Sequence, residues 1–170
     1  MHEARNEVIV AHLRLASQGG VCDRNCHPFK LNRFGRDWVF AHNGHLQIDY
    51  PSDLESDIDS ARAFTFIMDR TAEYLRNGTI RGIYPGILKA TKELVERYSG
   101  TLNYLLSDGT VLYAFHYEGK PLYMLRREKD YGGAILMSTV PLSNEEWIRI
   151  PERRLLVVCR GEVLVLSDPV

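Results

Sequence analysis

The sequence predicts an α+β domain, a sandwich of mainly antiparallel sheets with helices packed on it. Three observations carry that prediction. Two early runs, residues 8–15 and 38–41, are nearly continuous in Val, Ile, Leu, Ala, Trp and Phe, as buried strands are. Two central segments repeat apolar residues at helical spacing. From Thr101 onward, short apolar runs alternate with turn signals: TLNYLL, SDG, TVLYAFHY, EGK, PLYMLRR. That is a hairpin meander. Strands, then helices, then antiparallel strands make a layered domain rather than an alternating parallel one. The 170 residues suit a single domain over 1–170.

The elements follow in order. Residues 7–15 form a first strand, covered on both faces. Residues 17–37 form a long loop with Gly19, Gly20, Pro28 and Gly35, and loops of that length in compact domains are usually functional. Residues 38–46 form a second strand, interrupted at Asn43-Gly44, and an acidic loop covers 49–57. A helix over 57–76 starts from Ser56 or Asp57 as N-cap, with Asp59 in the first turn and Asn77-Gly78 at the end. Its apolar face is Phe64, Ile67, Met68, Thr71 and Leu75. A second helix over 85–99 opens on Pro85 and buries Ile87, Leu88, Thr91, Leu94, Val95 and Tyr98. The meander continues through AILMSTVPL, RRLLVVC and EVLVL, the last two joined at Arg160-Gly161.

Composition narrows the function. The chain is 45% hydrophobic and 25% charged, with net charge −1 at pH 7. This gives no electrostatic attraction to nucleic acid or an anionic membrane. No apolar run is long enough to span a bilayer, and MHEARNE is charged where a secretory signal would be apolar. Three cysteines, Cys22, Cys26 and Cys159, make no disulfide framework. A cytoplasmic location is therefore expected. Cys-x3-Cys followed by His27 is not a standard zinc spacing. Neither metal nor cofactor is expected.

The candidate site lies at the polar ends of the first two strands. Arg14 is either a bidentate clamp on a carboxylate or half of a structural ion pair. Asn43-Gly44 is either an oxyanion hole, with the side-chain amide and the Gly N–H donating to one oxygen, or a tight turn. Asp59 either holds a ligand ammonium or caps its helix. Tyr104, Tyr113, Phe115 and Tyr123 read as strand packing.

Taken together, AHLRLAS, NCHPF, WVFAHNG, SDIDSARAF, LNYLLSDG and the late STVPL before EWIRIPERRLLVV resemble the class II glutamine amidotransferases. These are N-terminal-nucleophile (Ntn) amidohydrolases, and the stand-alone bacterial and archaeal branch is the most similar. The resemblance covers nearly the whole chain. It implies an αββα sandwich, N-terminally incomplete here, and L-glutamine as ligand. It implies that Arg14 binds the α-carboxylate of glutamine and Asp59 its α-amino group. Asn43 and Gly44 would form the oxyanion hole, and Ser17 would line the pocket.

The departures from the family are specific. Its nucleophile is an N-terminal cysteine whose own amine is the base, several tens of residues before the AHLR strand. Cys22, Cys26 and Cys159 match no such position. Ala61 stands where relatives have an acid, and Gln18 where some have His. The expectation is a domain lacking its first segment, inactive alone. It would be one half of a split enzyme, a non-catalytic glutamine-binding module, or an interaction module. A bare sheet edge or apolar face then predicts a homodimer or a partner chain there.

Overall fold

A computed structural model of the protein describes residues 8–13, 20–127 and 133–170. Its elements are β1 (Phe29–Arg33), β2 (Arg36–Leu46), α1 (Asp59–Arg76), α2 (Ile83–Arg97), β3 (Gly100–Ser107), β4 (Val111–Tyr117), β5 (Tyr123–Arg127), β6 (Ala134–Ser138), β7 (Ile148–Arg149), β8 (Leu155–Cys159) and β9 (Glu162–Leu166). They form a six-stranded sheet, β1-β2-β3-β4-β8-β9, and a three-stranded sheet, β6-β5-β7. Every pairing is antiparallel.

Each layer follows from where the apolar side chains point. Trp38, Phe40, Leu102, Tyr104, Leu106 and Phe115 are buried together with Phe64, Ile67, Ile87 and Leu94 of the helices. This core joins the large sheet to the helix pair. Phe40 stacks on Phe64 at 5.1 Å between ring centroids. Alternate residues face the other way, and Ala114, Leu156 and Val158 meet Leu122, Met124 and Ile150 in a second core between the sheets. The described residues thus build helices, large sheet and small sheet as three layers. α1 and α2 are tied by Arg70, whose Nε donates to Glu93 at 2.9 Å, while the Tyr74 hydroxyl donates to the same carboxylate. No described helix is long and apolar enough to cross a membrane.

Several boundaries differ from expectation. Residues 8–13 of the expected first strand are irregular, and Ile9 and Leu13 are 83% and 102% exposed rather than covered. Their apolar pattern finds no neighbouring strand among the described residues. The expected long loop contains β1, whose burial alternates along FKLNR. It turns into β2 through Phe34 and Gly35, both at positive φ. A Phe at such a φ is uncommon, so the hairpin carries no familiar signal. β2 runs through Asn43-Gly44 without a break, because both residues pair with β3. The α1 N-cap is Ile58, with no side-chain cap bond. Ser56 instead donates to Asn25 Oδ1 at 2.7 Å, and Asp57 Oδ1 accepts from Arg62 at 3.5 Å.

Candidate active site

The site is built where β2 ends against the start of α1. β1 runs alongside β2 only as far as Phe40, which pairs with Phe29. Beyond that point no described strand pairs with the β1 side of β2. Leu46 N–H turns to this side and donates to Asp59 Oδ2 at 2.9 Å. His45 N–H turns the opposite way, to Thr101 Oγ1 at 2.9 Å. By the two-residue repeat of a strand, Gly44 N–H points to the same side as Leu46 N–H.

Glycine is required at position 44 by close approach. A Cβ there would overlap the Thr101 carbonyl oxygen and come within 2.6 Å of His42 Nε2. Asn43 is half-buried, and its side-chain amide makes no hydrogen bond to the described residues. It lies on the sheet face opposite His42, in register with Asn103, which is in register with His116. Asn103 is immobilised: its Oδ1 accepts from His116 Nδ1 at 2.6 Å and Tyr117 N–H at 3.2 Å, and its Nδ2 donates to Lys120 O.

Asp59 is 11% exposed in its side chain. Besides the bond from Leu46, its Oδ1 accepts from its own Ser60 N–H at 2.8 Å. It therefore ties the helix start to the strand end. It also lines an open cleft of about 480 Å³ with His45, Leu46, Ile48, Asp57 and Arg62. Beneath it, buried His42 lies 2.9 Å from Ser60 Oγ and 3.2 Å from Thr101 O. Only an Nε2–H can donate to that carbonyl, so Nδ1 accepts from the Ser60 hydroxyl. Burial lowers the His42 pKa, opposed by the nearby Asp59 charge and by the bond to the Thr101 carbonyl. His116 is lowered by burial as well, against the pull of Glu152.

Arg14 and Ser17 lie outside the described residues. Of the expected set, Asp59 bonds the end of β2 at Leu46 and lines the cleft, whereas Gly44 and Asn43 lie two and three residues earlier in β2 and are not among the residues lining it. Around them, His42 bonds Ser60, and Asn103 and His116 follow Asn43 in register across the sheet. For His42, Asn103 and His116 the available signal was a polar residue at inward positions of otherwise apolar strands. The described residues contain no group of three or more His, Cys, Asp or Glu placed to hold a metal.

Stacked antiparallel sheets with a helix pair outside make a fold of the Ntn kind. It overlays on the glutamine phosphoribosylpyrophosphate amidotransferase of B. subtilis with a TM-score of 0.61 at 12% identity, covering 89% of this chain and 33% of that one. The chain belongs to the class II glutamine amidotransferases, whose family model matches residues 1–138. It is 32% identical to YafJ of Escherichia coli (strain K12), named for glutamine amidotransferase activity, over 92% of this chain and 71% of that protein. A crystal structure of a predicted glutamine amidotransferase from Pseudomonas aeruginosa superimposes with a TM-score of 0.68 at 26% identity, covering 84% of this chain and 65% of that one. The chain thus spans between one third and about seven tenths of these proteins.

Proposed function

We propose that this chain is the glutamine-recognising part of a class II amidotransferase. Arg14 takes the α-carboxylate and Asp59 the α-ammonium, and Ser17 lines the pocket. The Asn43 amide and Gly44 N–H donate to the oxygen that becomes negative when the side-chain amide is attacked. One observation carries this reading. The Leu46 N–H to Asp59 bond fixes an anion beside a strand end whose Gly44 N–H lies on the side of β2 that β1 leaves unpaired. A free amino acid needs an anion for its ammonium, and a tetrahedral intermediate needs donors already in place.

The 170-residue chain by itself binds glutamine without hydrolysing it. Thioester chemistry of this family needs a thiol and a free amine on one residue. Cys22, Cys26 and Cys159 are internal. These 170 residues offer none that carries both groups. The exposed apolar side chains of Ile9 and Leu13 support a homodimer contact or a partner chain on the 8–13 segment.

The test is calorimetric titration of the 170-residue chain with L-glutamine, followed by an ammonia assay. Millimolar binding is expected, since two charge-assisted contacts of about 1.5–3 kcal/mol each are offset by the entropy of fixing a small ligand. Ammonia release is expected to be absent. Robust release abolished by Cys22→Ala or Cys26→Ala would overturn the assignment.

A further inference from the structure

We propose that Cys22 and Cys26 form a dithiol modification site that closes to an intramolecular disulfide on reaction with a small-molecule disulfide. The two cysteines flank a short 3-10 turn, Asp23–Asn25. Asn25 N–H donates to Cys22 O at 3.0 Å, and Cys26 N–H to Asp23 O at 2.9 Å. This winding brings the Cys26 thiol to 3.5 Å from the Cys22 carbonyl oxygen. That oxygen is two bonds from Cys22 Cα, so the Cys26 sulfur lies within about 6 Å of it. Rotation about the Cys22 side chain, now directed to Gly20 O at 3.7 Å, brings the second sulfur into range. A disulfide spans Cα atoms about 4.4–6.8 Å apart, so closing one holds the two ends of the turn in that range.

Exposure sets the order of events. Cys26 is exposed and Cys22 half-buried. The Cys26 thiolate attacks one sulfur of the small disulfide, and one small thiol leaves. The Cys22 thiolate then attacks Cys26 Sγ, the mixed disulfide breaks, and the second small thiol leaves. The protein loses two electrons and two protons, and both pairs end on the two small thiols. Cys159 ends β8 and pairs with Val111 and Glu162 in the ladder, so it is an internal control.

The turn is wired into the fold. Buried Asn25 donates to Gly20 O at 3.0 Å and accepts from Ser56 Oγ at 2.7 Å. Ser56 lies three residues before Asp59. Closing the ring changes the Cys22 carbonyl that now receives Asn25 N–H, and through Asn25 it changes the anchor of the segment leading into α1. The disulfide does not depend on whether the chain binds glutamine.

The test incubates the chain in mixtures of reduced and oxidised glutathione, alkylates free thiols, and measures intact and tryptic masses. The expected product has lost two hydrogens and carries one alkyl group, on Cys159. Trypsin cuts at Arg24, between the two cysteines, so the flanking peptides stay joined until a reductant is added. Cys22→Ser is expected to stop at a glutathione adduct on Cys26. Stable adducts on both cysteines, disulfide-linked dimers, or two unreacted thiols in fully oxidised glutathione would each overturn the proposal. A Cys22→Ser, Cys26→Ser double variant with an unchanged circular dichroism spectrum shows that the thiols are not needed for folding, and its failure to lose hydrogens assigns the product to this pair.

Discussion

Acidification is expected to weaken the fold through two buried histidines, His42 and His116. Both have pKa values lowered by burial. In the unfolded chain each takes up a proton near the ordinary value of about 6.5, whereas in the folded chain it stays neutral to lower pH. Below about pH 6.5 the unfolded state binds more protons, so stability is full above that value and is lost as pH falls towards the folded pKa. Each histidine costs about 1.4 kcal/mol per pH unit within this window. That slope is the upper bound on what each removes per pH unit between pH 7.5 and 5.5. The groups facing His42 are Asp59, which favours its protonation, and His12 and His45, which oppose it. Those facing His116 are Glu152 and Arg149, with opposite effects. The assay is urea unfolding followed by fluorescence of buried Trp38 at the two pH values. His42→Gln and His116→Asn are each expected to cost stability at pH 7.5 and to remove part of the pH-dependent loss. A wild-type stability that is flat between the two pH values, or a double variant with the wild-type slope, would refute the reasoning.

Other expectations follow from single contacts. Gly44→Ala should destabilise by about 1–3 kcal/mol, because its methyl group meets the Thr101 carbonyl and His42; thermal melting checks it. Thr91→Val should cost about 1–3 kcal/mol, since it strips the buried Tyr104 hydroxyl of its 2.6 Å partner; adding Tyr104→Phe should recover part of that loss in denaturant titrations. Arg14→Ala should remove glutamine binding and Cys26→Ala should leave it nearly unchanged, as read by titration calorimetry; equal affinities for both variants would count against the carboxylate clamp.

Much of this protein was determined locally and is legible in its sequence. The helices show because Phe64, Ile67, Met68 and Thr71, and Ile87, Thr91 and Leu94, recur at helical spacing and are buried. The meander shows because SDG, EGK and Arg160-Gly161 are turns that dictate their own backbone, with Gly109, Gly119 and Gly161 at positive φ. Asn43, Gly44 and Asp59 are visible as polar or Gly positions beside apolar runs, where a turn or a cap is their ordinary use. Other features depend on partners distant in the chain. Asn-Gly reads as a turn by itself, yet it stays in β2 because β3, some sixty residues on, pairs with both residues. Asp57 reads as a cap, but the helix starts at Asp59, whose carboxylate ties Ser60 N–H to Leu46 N–H. The 8–13 segment has a strand's composition but no strand beside it among the described residues, and a ladder needs a neighbour as well as a pattern. The row of Asn43, Asn103 and His116 exists only as strand register, which tertiary pairing sets and no local run of residues encodes.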